Sequence, residues 1–299
     1  EIPLYIACEK AAAYQNTSIR EIAELMVGRK GESMAEVEPR PVPQGKVAMS
    51  IKDLYVNMPG ERVDGLSLDV IEGEILGIGG LAGQGKLGIS NGIMGLYEVE
   101  GEVTLFGEKL NLMDTREVLK AGVAMVSEDR KGVGLLLDRS IEDNIVFNSM
   151  QIKDEYLKKI GPFTLVDSRK VRQTAEEYIK SLDIRCFGPT QHSGTLSGGN
   201  QQKVCIAKAL CTSPKFLFVS EPTRGIDVGA KYEIYEIIDK LADAGKAVIV
   251  ISSELPELIG ICDRIYTVSY GVVTDNVEKN GFTQEYLMKG MTKEREVAA

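Results

Sequence analysis

The feature that most constrains the fold is a glycine-rich loop between an apolar run and a segment that can form a helix. Gly80, Gly85 and Lys86 in "GLAGQGK" fit the spacing G-x-x-x-x-G-K, with Gly83 between them, and the loop follows "EILGIGG". Glycines let consecutive backbone N–H groups point at phosphate oxygens, and the lysine can reach the terminal phosphates. The loop therefore predicts an α/β fold with a phosphate cradle. Three fixed positions recur by accident in about one in ten chains of this length, so a plain glycine-rich turn stays open at this point.

Compact apolar runs recur along the rest of the chain. "GVAMV", "FLFVS", "AVIVIS" and "RIYTVS" alternate with helix-compatible segments, which predicts a parallel sheet covered by helices. Residues 229–244 are predicted to form one such helix, because apolar residues recur there at helical spacing before Gly245: Ile234, Ile237, Ile238 and Leu241. Ahead of the loop, "VAMSIKDLYV" and "LSLDV" predict antiparallel strands at a sheet edge.

The remaining segments divide the chain into parts. Residues from about 127 to 200 contain no comparable strand run and are charged, which predicts an inserted helical subdomain. Residues 28–45 are polar and contain prolines, which predicts a linker. A short capped helix is predicted before the linker, in residues 1–27. The main domain is then expected at 46–299.

Composition argues against several classes of function. The 35 basic and 44 acidic residues give a net charge of -9, which repels nucleic acid and anionic membrane surfaces. Five cysteines without a C-x-x-C pair and the single His192 indicate neither a disulfide framework nor a zinc site, so no metal held by such residues is expected. The longest apolar runs are strand-sized, and any role at a membrane is expected to come through a partner.

A second motif, "LSGGNQQKV" at residues 196–204, is far more specific than the loop. Ser197 and two glycines open a predicted helix, so a side chain, N–H groups and the helix dipole can all address a terminal phosphate. The motif resembles the signature of ABC-transporter ATPases, and a six-residue match to LSGG-x-Q is most unlikely by chance. A plain helix cap is the weaker alternative. The resemblance implies these nucleotide-binding residues: Ser197, Gly198, Gly199 and Gln201.

The resemblance extends over nearly the whole chain. "FLFVSEPTRGIDVGAK" looks like the Walker B strand and the following D-loop, in which Glu221 would orient or deprotonate the attacking water and Asp227 would touch the opposite subunit. The implied fold is a P-loop NTPase (RecA-like) core with a parallel sheet, an antiparallel β edge subdomain and an inserted helical subdomain. The implied cofactors are ATP and Mg²⁺.

A narrower resemblance concerns tandem-cassette proteins. "EPTRGIDVGAK" together with "LSGGNQQKV" is similar to the second cassette of ATPases that drive bacterial monosaccharide importers of the ribose, galactose and xylose type. In that family two cassettes lie in one chain, and "IREIAELMVGRK" resembles the tail of the first. On this interpretation the chain is the C-terminal part of a longer protein, and residues 1–27 are the tail of the preceding cassette.

Several positions depart from the family pattern. Leu87 and Ser220 stand where P-loop enzymes have the hydroxyl and the aspartate that hold magnesium, so Mg²⁺ is doubtful at this P-loop. Glu128 falls at the Gln-loop position and could supply a substitute carboxylate, while Ser253 falls at the position of the switch histidine. All these departures affect the site formed by this P-loop, and none affects the signature.

The departures suggest a division of labour between two cassettes. ABC cassettes pair head to tail, with each ATP between one P-loop and the partner's signature. Ser197 and its neighbours would then complete a competent site whose P-loop, metal ligands and base belong to the first cassette. The P-loop of this chain would form a second, non-hydrolytic site, where Lys86 and the backbone could still hold ATP.

The resemblance implies the partners of the chain. As the energy-coupling part of a sugar importer, the chain would lie at the cytoplasmic face of the bacterial inner membrane and contact permease subunits through "SEDRK" and the helical insert. A substrate-binding protein would act with it indirectly. A soluble non-transport ABC ATPase and a regulatory pseudo-ATPase cassette are the alternatives, and the signature argues against an unrelated P-loop switch or kinase. The sequence does not discriminate between sugars.

The other notable residues receive ordinary structural interpretations. Glu254 and Glu257 follow Ser253 and are expected to be solvated. Asp129 and Arg130 are expected to form a surface pair or to contact the membrane partner. His192 and the cysteines are expected to be structural. The adenine-stacking aromatic of the family aligns loosely with Met58, close to Tyr55.

Overall fold

The structure is a computed structural model, and it describes residue 43 and residues 45–294. The predicted tail at 1–27 and nearly all of the predicted linker at 28–45 lie outside the described residues. Within the described part of the chain, none of the helices is long and apolar enough to span a bilayer.

The described residues form a mixed set of strands and helices. The strands are β1 (Val47–Val56), β2 (Val63–Ile71), β3 (Ile75–Gly80), β4 (Val99–Leu105), β5 (Glu108–Lys109), β6 (Val123–Val126), β7 (Leu157–Ile160), β8 (Phe163–Val166), β9 (Phe216–Ser220), β10 (Ala247–Ser252), β11 (Arg264–Ser269) and β12 (Val272–Glu278). The α-helices are α1 (Lys86–Ile93), α2 (Thr115–Ala121), α3 (Ile141–Lys153), α4 (Ser168–Ser181), α5 (Gly198–Leu210), α6 (Val228–Asp243), α7 (Leu255–Ile261) and α8 (Gln284–Met291).

The central sheet has the strand order β12-β11-β3-β10-β9-β6. Its neighbouring strands run parallel, as the apolar runs predict, except that β12 pairs antiparallel with β11. The turn into β12 uses left-handed backbone at Tyr270 and Gly271, whose φ angles are 49° and 80°. Two positive φ angles in succession suit a tight hairpin turn, and this explains why the edge strand reverses direction.

Both faces of the central sheet are buried, which is why its strands read as continuous apolar runs. Along β10, Val248 and Val250 pack into one hydrophobic cluster with the helices that cover that face. Ile249 and Ile251 point the other way, into a second cluster. A parallel sheet of this kind brings the carboxyl ends of several strands to one edge, where the loops of the site begin.

The antiparallel strands predicted at a sheet edge form a sheet of their own. Its order is β2-β1-β4-β5, with antiparallel pairing throughout. Helix α1 lies between the two sheets, because its Ile89 and Ile93 are buried in the cluster that contains residues of both. The P-loop helix therefore joins the antiparallel subdomain to the central sheet.

The segment from about 127 to 200 is only partly as predicted. It contains helices α3 and α4, but it also contains the antiparallel hairpin β7–β8, so the expectation that it lacks strands is wrong. These strands are four residues each and largely exposed, with Ile160 60% and Phe163 68% exposed. A strand pair that buries neither face leaves no continuous or alternating apolar pattern, and so the sequence does not reveal it.

The described cysteines are packing residues, as expected. Cys205, Cys211 and Cys262 are buried, and Cys186 is half-buried. Burial raises the pKa of the Cys205 thiol to about 12. A thiol of this kind stays protonated at neutral pH and is a poor nucleophile. The backbone of His192 forms an isolated antiparallel bridge with Ser140, and its side chain is exposed, so a structural role of the imidazole stays a prediction.

The contact between α1 and β1 predicts the effect of a small substitution. A Cβ at Gly92 would lie 2.3 and 2.8 Å from the two methyl groups of Val56. Val56 is buried and β-branched, so it cannot move aside easily. We expect Gly92→Ala to lower the free energy of unfolding by roughly 1–3 kcal/mol, measured by urea denaturation.

Gly260 in α7 is the matched control for this substitution, because nothing lies within 4 Å of a Cβ placed there. Gly260→Ala should be neutral or should stabilise the protein by up to about 1 kcal/mol, since alanine restricts the unfolded chain more than glycine does. Equal effects of the two substitutions would contradict the close packing of α1 on β1.

Candidate functional site

The glycine-rich loop connects the carboxyl end of β3 to the start of α1, as predicted. Gly83 and Gly85 have φ angles of 78° and 96°, which glycine adopts without strain. A Cβ at Gly80 would lie 2.9 Å from the Val268 carbonyl oxygen, and one at Gly85 would lie 2.4 Å from the Arg62 carbonyl oxygen. The loop therefore has the glycine-dependent geometry of a phosphate cradle.

The cradle contains a side chain of the protein itself, that of Glu61. The backbone N–H of Gly83 donates to Glu61 Oε1 at 2.8 Å, and the N–H of Gly85 donates to Oε2 at 2.8 Å. The N–H of Leu87 also donates to Oε2, at 3.2 Å. Glu61 is only 7% exposed. The groups predicted to bind phosphate thus bind a carboxylate.

Lys86 and Glu221 form a buried ion pair at the base of the loop. Lys86 Nζ lies 2.8 Å from Glu221 Oε1, and the two side chains are 3% and 8% exposed. Glu221 follows β9 directly and has a left-handed φ of 46°, which is unusual for a residue with a side chain. The predicted phosphate-binding lysine and the predicted base are therefore brought together, but as partners of each other.

Ser253 contacts the same carboxylate. Its backbone N–H and its hydroxyl donate to Glu221 Oε1 at 3.1 and 3.0 Å. The sequence predicts Ser253 at the place of a switch residue that senses phosphate. In the structure it fixes Glu221 from the carboxyl end of β10, and together Lys86 and Ser253 hold this oxygen in one position.

The two positions that hold magnesium in P-loop enzymes do not offer a metal site. Leu87 has no oxygen in its side chain and packs against the core. The hydroxyl of Ser220 is fully buried and lies 3.4 Å from that of Ser90. Across residue 43 and residues 45–294, no three or more His, Cys, Asp or Glu side chains are grouped so as to hold a metal ion. The residues present do not fit a magnesium ion here.

Glu128 and its neighbours lie in the loop after β6. The Glu128 carboxylate accepts a hydrogen bond from the Ser127 hydroxyl at 3.2 Å. Asp129 caps a short turn by accepting from the Gly132 N–H at 2.8 Å. Arg130 Nη1 lies 3.5 Å from the Arg224 carbonyl oxygen, so Asp129 and Arg130 have separate partners. The role of Glu128 toward a nucleotide stays a prediction.

The signature lies at the start of α5, as predicted. Ser197 is exposed at the helix N-cap, and its hydroxyl caps no backbone N–H. Instead it accepts from the Asn200 side-chain amide at 2.9 Å. Gln201 is buried and donates to the Ser193 carbonyl oxygen at 3.2 Å, so its side chain is directed into the protein. The exposed part of the signature is thus Ser197 and the first turn.

The two signature glycines also have packing reasons. A Cβ at Gly199 would lie 2.6 Å from the Cβ of Ala230, where α5 meets α6. A Cβ at Gly198 would lie 3.1 Å from the Gly225 carbonyl oxygen and 3.3 Å from Arg130 Nη2. These close approaches fix the start of α5 against the loop that follows Glu221.

Comparison with known proteins is consistent with this geometry. The family described as "ABC transporter" matches residues 63–224, more than half of the chain, from the start of β2 to beyond Glu221. The chain belongs to the ABC transporter family. The matched residues include the glycine-rich loop, helix α5 and Glu221.

Two curated relatives of this ABC cassette are import or transport proteins for sugars. It is 41% identical over 287 residues to "Ribose import ATP-binding protein RbsA 2" of Rhizobium meliloti (strain 1021), covering 95% of this chain and 53% of that protein. It is 40% identical over 274 residues to "L-arabinose transport ATP-binding protein AraG" of Geobacillus stearothermophilus, covering 89% and 52%. The chain thus spans about half the length of the curated relatives it matches.

A solved structure confirms the fold. The dimeric post-hydrolysis ATP-binding cassette MJ0796, bound to ADP and Pi, superposes with a TM-score of 0.64 at 24% sequence identity. The match covers 78% of this chain and all of that one. The predicted P-loop NTPase fold of an ABC ATPase is therefore confirmed.

The loop after Glu221 in this cassette ends at Asp227. Asp227 Oδ1 accepts from the Ala230 N–H at 3.0 Å and so caps α6. Its predicted contact with an opposite subunit stays a prediction. The predicted helix at 229–244 is confirmed as α6, with Gly245 in left-handed conformation just beyond its end.

Glu257 corrects one expectation from the sequence. It is 3% exposed rather than solvated, and the Thr223 hydroxyl donates to its Oε1 at 2.7 Å. Burial raises the pKa of Glu257, although the hydrogen bonds from Ser252 and Thr223 oppose the shift. Glu257 thus holds the loop between Glu221 and α6. Glu254, by contrast, is exposed and pairs with Lys231.

The candidate residues for adenine stacking are on or next to β1. Tyr55 is 44% exposed, and its ring lies against Gly65, where a Cβ would be 3.0 Å from the phenol oxygen. Met58 is half-buried and packs against the second hydrophobic cluster. The structure therefore gives both side chains packing contacts, and a stacking role stays a prediction.

Sequence reasoning missed Glu61 and misjudged Glu257. Glu61 lies in "MPGERV", which matches no phosphate-binding motif and precedes the loop by about 20 residues. The proline and glycine before it indicate a turn, but nothing in the sequence indicates which loop that turn contacts. Glu257 lies on the inner face of α7, whose short length gave no clear helical stripe.

The buried Glu257 predicts a pH dependence of stability. Its folded pKa is raised above the ordinary value of 4.5, so the folded protein binds a proton there more tightly than the unfolded chain. The stability that this provides is complete below that value and is lost as pH rises through the folded pKa. In Glu257→Gln the side chain is uncharged at every pH and keeps an acceptor oxygen for Thr223.

We therefore expect the unfolding free energy of Glu257→Gln to rise relative to the wild type as pH increases from about pH 4 to pH 8, measured by urea denaturation. Glu108→Gln, at an exposed position in β5, is the control and should give a difference that does not change with pH. A pH-independent difference for Glu257→Gln would show that its burial does not affect its titration.

Proposed function

We propose that this chain is the second cassette of an ABC importer ATPase for a simple sugar, and that its signature completes the ATP site of the first cassette. The observation that supports this most is the contrast between the two faces of the molecule. At the P-loop, Lys86 and Glu221 neutralise each other in a buried pair. At the signature, Ser197 is exposed at the start of α5.

The exposed helix start has the chemistry of a phosphate contact in trans. The first N–H groups of an α-helix have no partners within the helix, and the dipole makes that end positive. Ser197 adds a hydroxyl, and the close packing at Gly198 and Gly199 holds the helix end rigid. These groups would bind the terminal phosphate of an ATP whose P-loop, metal ligands and base belong to the other cassette.

The site at this chain's own P-loop would not hydrolyse ATP. Hydrolysis in P-loop enzymes needs a magnesium ion held by a P-loop hydroxyl and a Walker B aspartate. Leu87 and Ser220 do not form that magnesium site, so this P-loop would lack the metal that hydrolysis needs. Glu221 is also committed to Lys86 and Ser253, which leaves it badly placed to activate water.

The sugar class is inferred from the names of the relatives, and the partners are inferred from membership of the ABC transporter family. The two relatives named above carry ribose import and L-arabinose transport in their names, and the chain spans about half of each. We infer that a first cassette precedes this one in the full-length protein. That protein would act peripherally at the cytoplasmic face of the bacterial inner membrane, with permease subunits and, through them, a substrate-binding protein.

The first test uses the 299-residue chain alone. We expect its magnesium-dependent ATP hydrolysis to be at background, because both metal-binding positions are changed. Glu221→Gln should leave this rate unchanged. The measurement is phosphate release at saturating ATP. Brisk hydrolysis that Glu221→Gln abolishes would contradict the proposal for this site.

The second test uses the two-cassette protein encoded with the upstream reading frame. We expect Ser197→Arg to lower its ATP hydrolysis about a hundredfold or more, because the substitution blocks the phosphate contact at the start of α5. Ser181→Arg, at an exposed position at the end of α4, is the control and should keep the rate. Equal rates in the two variants would rule out a contribution from the signature.

A further inference from the structure

We infer that the Glu61 carboxylate is the resident ligand of this cassette's P-loop and that it excludes nucleotide phosphate from the cradle. The inference deepens the proposed function, since it rests on the assignment of this P-loop as a degenerate ATP site. It adds Glu61, which lies outside the glycine-rich loop and the signature. Glu61 would exclude phosphate by occupying its hydrogen-bond donors, in addition to the loss of the metal ligands.

The carboxylate uses the hydrogen-bond donors that phosphate needs. Its two oxygens accept from the N–H groups of Gly83, Gly85 and Leu87 at 2.8, 2.8 and 3.2 Å. A charged acceptor at several backbone N–H groups near a helix start forms strong hydrogen bonds. A phosphate oxygen and the Glu61 carboxylate therefore cannot use these groups at the same time.

The segment that carries Glu61 is seated closely on the P-loop helix. A Cβ at Gly88 would lie 2.0 Å from the Glu61 carbonyl oxygen, and one at Gly271 would lie 2.5 Å from the Arg62 carbonyl oxygen. The Glu61 N–H also donates to the Met58 carbonyl oxygen at 3.1 Å. Glycines thus make room for the backbone carbonyl groups of Glu61 and Arg62, so the position of this carboxylate is built into the fold.

The remaining charges of the site add to the exclusion. Lys86 is paired with Glu221, whose Oε1 also accepts from Ser253. Among the buried side chains, Glu61 and Glu221 carry two negative charges against the one positive charge of Lys86, while Arg62 is exposed on the outer side of the loop. A triphosphate that reached the buried groups would therefore meet an excess of negative charge. In a buried site this repulsion is screened far less than at the surface.

The space beside the loop is consistent with a filled cradle. A cleft of about 240 Å³ borders the P-loop and is lined by Gly60, Arg62, Gly83 and Tyr270. Lys86 and Glu221 are not among its lining residues.

The effect on affinity follows from the fraction of time that Glu61 leaves the cradle. If the cradle is open for about 10% of the time, the apparent affinity for ATP is lowered about tenfold. Removing the carboxylate should restore that factor. The energy of the three hydrogen bonds is lost in the same variant, so folding must be checked separately.

The experiment measures ATP binding to the 299-residue chain by calorimetry without magnesium. We expect Glu61→Ala to bind ATP at least about tenfold more tightly than the wild type. Glu61→Gln keeps the shape of the side chain and one acceptor oxygen, so it should fold normally and show a smaller gain. Glu100→Ala, which removes an exposed carboxylate from β4, is the matched control and should bind like the wild type.

A double variant locates the gained site. Adding Lys86→Ala to Glu61→Ala should remove the gain, because the lysine would then contact the phosphates in the opened cradle. Tight ATP binding by the wild type overturns the inference. An affinity that neither Glu61→Ala nor Glu61→Gln changes, whether tight or unmeasurable, overturns it as well.

These outcomes are distinct from those for the proposed function. Hydrolysis by the two-cassette protein depends on Ser197 and on the other P-loop, whereas ATP binding by this chain without magnesium depends on Glu61. The Ser197 result can therefore hold while the Glu61 result fails, and the reverse is equally possible.

Discussion

Backbone N–H groups gathered at the start of a buried helix require hydrogen-bond acceptors and favour an anion, and the rest of this site depends on how that requirement is met. In this cassette the Glu61 carboxylate meets it. Lys86, the other group that would bind phosphate, meets its own need for a counter-charge through Glu221. Because unpaired buried donors and charges are costly, these contacts stabilise the P-loop in a defined shape without a nucleotide.

A P-loop that is complete by itself explains how the cassette can keep its fold while its metal ligands change. Helix α1 connects the antiparallel subdomain to the central sheet. In its first turn, the Leu87 N–H donates to the carboxylate of Glu61, which lies just before β2. The signature helix α5 is held by Gly199 against Ala230 of α6 and by the loop that Thr223 and Glu257 hold. That loop begins at Glu221, the partner of Lys86, so the P-loop and the start of α5 are connected through one segment.

Much of the architecture could be predicted from local patterns. "AVIVIS" and "FLFVS" correctly predicted central strands, because both faces of those strands are buried. The apolar residues at helical spacing around Ile234 correctly predicted α6. The hairpin β7–β8 could not be predicted, since it buries no face. Glu257 was misjudged because its burial depends on the loop packed over it. For the site, the sequence identified Lys86, Glu221, Ser253 and Ser197, but it could not indicate that Lys86 and Ser253 both bond to Glu221.

The sequence by itself determined the fold class, the glycine-rich loop, the signature and the absence of the usual side chains at Leu87 and Ser220. These features depend on residue type at fixed spacing along the chain, and the last two are recognised through the resemblance to ABC-transporter ATPases. Only the tertiary structure decided the occupant of the cradle and the partner of Lys86. Glu61 lies just before β2 and Glu221 just after β9, and both are distant from the loop in sequence. Only the folded arrangement of these strands brings the two carboxylates within hydrogen-bonding distance of the loop.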